Sequence, residues 1–187
     1  TVIFFLAVAL AANTLAQPVQ FSISTDLGFQ RSFKKEQRFW AAGHTTQCNF
    51  HFNPKDVIYF LFGYFTEGKF KNNVSATAKS PLTTPQQIGY TNRSAMRLKQ
   101  FSLGWKKYLK GTFDAEDGWS LYGIAGLGLV FGRVDNNHSV TIDTSLYDAP
   151  VYNGKANFKR LTLDVGLGWE VPVGGDFFFY TEGKVWI

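Results

Sequence analysis

The chain has a single cysteine, Cys48, in 187 residues. No intramolecular disulfide can form, and no thiolate cluster is available to hold zinc. Long hydrophobic runs are scarce as well. The apolar stretch from Val2 to Ala12 is too short for a membrane-spanning helix, which needs about 20 such residues. Charge is not concentrated either. The formal net charge is +5 and the isoelectric point about 9.3, but lysines and arginines are scattered among both signs, without a basic helix. That pattern argues against nucleic acid as a partner and favours anionic lipid.

Aromatic residues make up 17% of the chain, and there are 18 glycines. Near the end, Leu161, Leu163, Val165, Leu167, Trp169 and Val171 alternate with Arg160, Thr162, Asp164, Gly166, Gly168 and Glu170. A period of two is a strand. One face is unbrokenly apolar and ends in Trp; the other mixes glycine with charge, too polar for the inside of a soluble barrel. A strand that turns grease outward and charge inward belongs to a transmembrane β-barrel. A mean hydropathy of −0.11 hides this because inward faces and loops dilute the outer face.

The first residues agree with an exported protein. The segment TVIFFLAVALAANTLA, residues 1–16, has the apolar core of a secretory signal peptide, and Thr14 and Ala16 suit cleavage before Gln17. It lacks a charged leader and an initiator Met, so the expectation is an N-terminally incomplete signal. No cysteine follows the apolar run, which argues against a lipid-anchored lipoprotein. Residues 17–187 are expected to form one outer-membrane barrel domain.

Seven strands are predicted, at about 19–31, 38–52, 57–70, 94–109, 119–134, 160–171 and 177–187. On the first, Phe21, Ile23, Thr25, Leu27 and Phe29 face outward. On the second, His44 and Thr46 fall awkwardly on the outward face, and a bulge there would repair the register. Short junctions at Asn53–Asp56 and Pro172–Asp176 and a moderate one at Lys110–Gly118 alternate with long polar connections at Lys71–Arg93 and Asp135–Asn157. The first outer loop, 32–37, is short. This asymmetry suits an outer-membrane barrel. Bacterial barrels have even strand numbers, and open edges in lipid leave backbone groups unsatisfied. The expected fold is therefore an all-β, antiparallel up-and-down transmembrane barrel of eight strands, with about seven present and the last missing at the C-terminus.

The strands Tyr122-Gly-Ile-Ala-Gly-Leu-Gly-Leu129 and Asp164-Val-Gly-Leu-Gly-Trp169 carry a family resemblance. With Leu15-Ala16-Gln17 at the signal end and Gly104-Trp105-Lys106-Lys107-Tyr108 before a turn, the chain resembles the outer-membrane β-barrel domain family common in Bacteroidetes. Its layout is similar to small eight-stranded barrels of the OmpA and OmpX type. The resemblance covers nearly all of residues 17–187 and implies a monomeric barrel in the bacterial outer membrane, inserted by the barrel assembly machinery. It offers no catalytic residues.

His138 and Ser139 are adjacent in an extended segment, so their side chains point apart and are poorly set to pair as base and nucleophile. His44 and His51 differ in parity and lie on opposite faces of strand two, so they cannot share a metal. No catalytic, cofactor-binding or metal-ligating set is predicted. The inward charges Asp26, Glu67, Arg160, Asp164, Glu170, Glu182 and Lys184 would share a narrow interior, where they must be paired. A polar, salt-bridged plug is the expectation, with a gated narrow pore as the alternative. Lys34, Lys35, Arg97 and Lys99 cluster at the outer rim as candidate contacts to lipopolysaccharide. The resulting function is a structural or surface-interaction barrel and not an enzyme. A lipid A-modifying enzyme is the alternative, and a secreted lipocalin-like carrier the third class.

Overall fold

The computed structural model describes residues 19–187. The expected signal peptide, residues 1–16, lies outside the described residues. Seven long strands make one antiparallel sheet: β1 (Gln20–Arg31), β2 (Trp40–Asn53), β3 (Asp56–Ala78), β4 (Gln87–Lys110), β5 (Ser120–His138), β7 (Gly154–Gly174) and β8 (Phe177–Trp186). They lie in the order β1-β2-β3-β4-β5-β7-β8, each beside its neighbour in sequence, and the two-residue β6 (Tyr147–Asp148) adds to the free edge of β3. The sheet curls into an open barrel-like wall.

Local chemistry sets the turns. Between β2 and β3, Asn53 Oδ1 accepts from the backbone N–H groups of Lys55 and Asp56, both at 2.9 Å, fixing a two-residue reversal. Between β7 and β8, Gly174 and Gly175 take φ of 134° and 56°, conformations that suit glycine. A short 3-10 turn, Lys35–Gln37, joins β1 to β2.

Parity divides the sheet as its alternation predicts. On the convex face stand Leu27 (89% exposed), Phe29 (80%), Leu161 (70%), Phe60, Phe101, Leu103, Leu127, Leu163 and Leu167. The concave face holds two apolar clusters. Near the turn end are Val57, Tyr59, Leu61, Tyr108, Tyr122 and Ile124; nearer the loop end are Phe39, Ala41, Phe65, Phe70, Met96, Leu98 and Val130. The inward glycines are the counterparts of these rings. Tyr59 fills the space that Cβ atoms at Gly104 and Gly126 would need, Tyr122 does so at Gly168, and Phe158 at Gly132. Alternating small and large residues across neighbouring strands thus pack a narrow interior.

The convex apolar belt runs obliquely to the strand register. One register row links Phe21, Phe50, Ile58, Trp105, Ala125, Val165 and Val185. From that row the belt extends eight residues loopward on β1, to Phe29 (29 − 21), and eight turnward on β7, to Val173 (173 − 165). An apolar belt that drifts along the strands from β1 to β7 is the pattern that tilted strands give, and tilt is the geometry that closes barrels.

Three sequence expectations are corrected. First, β2 pairs with β1 from His51 to Trp40 without a break, so no bulge rescues His44 and Thr46. Both stay convex, with the His44 ring 6.4 Å from that of Tyr64. Second, the bulge lies in β3, between Phe65 and Gly68, and it reverses the parity beyond it. Third, the expected loop 71–93 is mainly a hairpin, since β3 and β4 stay paired from Lys71↔Arg93 to Thr77↔Gln87. Val74, Thr77, Ile88 and Tyr90 are good strand formers, and Ala76, Tyr90 and Tyr147 give it a small core of its own.

Candidate functional site

The concave face gathers most of the charges that the sequence assigns there. At the turn end, Lys106 Nζ meets Glu170 Oε2 at 3.1 Å, with both side chains at most 10% exposed. The Tyr108 hydroxyl donates to the same carboxylate, 3.1 Å from each oxygen. Beside it, the Tyr122 hydroxyl donates to Glu182 Oε1 at 2.8 Å, and Lys184 Nζ stands 2.5 Å from Glu182 Oε2. Lys106 also lies over the Tyr122 ring, 3.7 Å from its centre, so the two ion pairs share one aromatic wall.

Further along, Asp164 is 1% exposed and accepts from Gln100 Nε2 at 2.8 Å and from the Thr162 hydroxyl at 3.0 Å. Asp26 accepts from the Thr45 hydroxyl at 2.8 Å and from the Tyr180 hydroxyl at 3.0 Å. The second of these bonds joins β8 to β1, the two edges of the sheet. Gln47 donates to Asn49, which donates in turn to Ser22 and Ser24. His51 Nε2 is 2.8 Å from the Ser22 hydroxyl, and its ring centre lies 4.0 Å from that of Phe113, a residue of the connection after β4.

Asp26, Asp164, Glu170, Glu182 and Lys184 therefore belong to this interior network. Glu67 does not. The bulge places it on the convex face, in an ion pair with Arg97. Arg160 keeps its concave parity but is exposed, 5.5 Å from the Phe158 ring centre, because β8 pairs with β7 only from Asp164 turnward. Lys106 was missed, although its even number in β4 places it with Gln100, Ser102 and Gly104. Its neighbour Lys107 and the coming turn obscured that parity.

The rim residues Lys34, Lys35, Arg97 and Lys99 are all exposed, the first two beside the 3-10 turn and the others on the convex face of β4. His44 and His51 lie on opposite faces. The His138 ring packs 4.5 Å from Tyr90, whereas the Ser139 hydroxyl accepts from the Thr91 backbone N–H at 3.0 Å.

What this site does chemically is hold two ion pairs, Lys106–Glu170 and Lys184–Glu182, and two further carboxylates, Asp26 and Asp164, that neutral donors meet. Each interior carboxylate has hydrogen-bond donors, which offsets the cost of burying it. No protein-family model, curated protein or solved structure matches this chain.

Proposed function

We propose that the chain forms the wall of an integral β-barrel of a bacterial outer membrane, structural or surface-interacting in role, with its long connections facing outward. The inverted placement of polarity carries this reading: large apolar side chains cover the convex face, while ion pairs lie within. A secreted carrier of the lipocalin kind would need the opposite arrangement. The tilted belt and the signal-like residues 1–16 add support.

In this reading one further strand, the eighth, pairs with both β1 and β8. The hydrogen bond from Tyr180 to Asp26 already links those two edges on the concave side. The closed barrel is a monomer that reaches the membrane through the barrel assembly machinery. Its packed interior fits a plug better than a conducting pore.

The native cysteine provides a test. Cys48 sits on the convex face, level with Phe60, Leu103, Leu127 and Leu163. After refolding in lipid vesicles it should resist a membrane-impermeant, charged maleimide, because the thiolate that reacts does not form in hydrocarbon. A cysteine at Ser75, beyond the bulge, should react. Reaction of Cys48 as fast as that of the Ser75 cysteine in the folded protein would overturn the membrane reading.

A further inference from the structure

We infer that Arg97, Lys99, Arg133 and Lys159 form a binding site for the phosphorylated head group of a membrane lipid. The inference rests on the membrane reading above and names the lipid chemistry that one sector of the barrel takes.

The four cations occupy two adjacent register rows of β4, β5 and β7, all on the convex face. In one row Lys99 pairs with Phe131, and Phe131 with Lys159. In the next row loopward, Arg97 stands directly opposite Arg133. Like charges facing each other across strands are destabilising, and the structure only partly relieves them. Glu67 pairs with Arg97, and Asp135 Oδ1 lies 3.6 Å from Arg133 Nε. Among the described residues no acid pairs with Lys99 or Lys159. Lys159 leans over the Phe131 ring, 5.7 Å from its centre. The sector thus keeps two uncompensated positive charges beside two compensated ones, a complement to a multiply charged anion.

Position selects the anion. The row immediately turnward of Lys99 and Lys159 is Phe62, Phe101, Leu129 and Leu161, wholly apolar and convex. A two-residue step along a strand is about 7 Å, the scale that separates a lipid's phosphate from the start of its acyl chains. A ligand that spans both rows carries phosphate at one end and hydrocarbon at the other. Lys99 and Lys159, two strand spacings apart (about 10 Å), can bracket one head group with their flexible stems. A soluble phosphate would use the cations and ignore the belt.

The test uses the full chain refolded in zwitterionic detergent micelles, with lipid binding followed by native mass spectrometry. The probes are phosphatidylglycerol, phosphatidylcholine and inorganic phosphate. Phosphatidylglycerol should bind in a salt-sensitive manner, and the double substitution Lys99→Gln/Lys159→Gln should weaken it by about thirtyfold at low salt. Lys34→Gln/Lys35→Gln, on the 3-10 turn after β1 and outside the two register rows, should change it less than about twofold. Glu67→Gln, which releases Arg97, should tighten it.

Unchanged affinity in the Lys99/Lys159 variant, or an equal loss in the Lys34/Lys35 variant, would overturn the site while leaving the barrel reading intact. Displacement by millimolar inorganic phosphate would assign the cations to a soluble anion and also overturn it. A chain that dissolves and folds without detergent or lipid would remove the membrane reading itself, a result distinguishable from all of these.

Discussion

On either side of the bulge at Phe65/Gly68, β3 has the same concave chemistry and opposite convex chemistry. Turnward of it, Val57, Tyr59 and Leu61 are buried, while Ile58, Phe60 and Phe62 face out. Loopward of it, Phe70 and Ala76 are buried, while Lys69, Lys71, Asn73 and Ser75 face out. The pairing with β4 continues through both stretches. Backbone geometry therefore does not explain the change. On the membrane reading proposed above, what changes is the surroundings of the outer face: an apolar medium turnward of the bulge and water loopward of it. The inner face packs on other strands in both places, so it stays apolar in both.

The largest test of this contrast concerns charges inside the wall against charges on it. Glu170→Ala would leave Lys106 buried without its counterion, and the expected loss is about 3–5 kcal/mol. Urea unfolding of the refolded protein in vesicles measures it. A double variant, Lys106→Met/Glu170→Leu, should recover most of that loss, because an apolar pair of similar volume carries no desolvation cost. If the single variant were as stable as the parent, the pair would be hydrated rather than enclosed.

Next in size is the outer face itself. Leu163→Arg places a cation in the apolar belt and, if the barrel spans a membrane as proposed, should cost about 2–4 kcal/mol. Ser75→Arg, convex but above the bulge, should stay within about 0.5 kcal/mol. The same unfolding experiment compares them. Similar costs at the two positions would erase the distinction between the two halves of the sheet. A smaller packing effect sits between these: Gly126→Val drives a side chain into the Tyr59 hydroxyl and the Leu103 carbonyl, and overpacking of this kind costs about 1–3 kcal/mol.

Much of this contrast was legible in the sequence. Alternation of Leu161 to Val171 gave β7 its faces, and the glycine-spaced Tyr122–Leu129 gave β5 its own, because a two-residue period leaves only two choices of face. The partners Tyr180, Gln100, Lys106 and Tyr122 of Asp26, Asp164, Glu170 and Glu182 lie 60 or more residues away and meet them across the curl of the sheet, which no local pattern in the sequence shows. Two things stayed hidden. The bulge at Phe65/Gly68 moved Glu67 across the sheet, and a bulge is a single extra residue with no periodic signature of its own. The hairpin 71–93 reads as a loop because its convex positions on both strands are mostly polar, as loop residues are. Strand-forming Val74, Thr77, Ile88 and Tyr90 within it were the available signal.

The smallest expected effect concerns the pair that the bulge created. Arg97 and Glu67 are joined on the convex face with side chains 44% and 39% exposed, in contrast to Lys106 and Glu170 at 6% and 10%. Exposed pairs gain little, because water screens the attraction and two long side chains lose freedom in holding it. Glu67→Gln should therefore lower stability far less than Glu170→Ala. Its small effect should fade as salt rises toward molar concentration, where the screening length falls to about 3 Å. The Glu170→Ala loss should persist there, since its partner is shut away from mobile ions. Unfolding curves of both variants at low and high salt separate the two behaviours. A salt-independent loss at Glu67 would mean that the bulge turns this carboxylate into an enclosed site, and the surface would then extend less far down β3 than its exposure indicates.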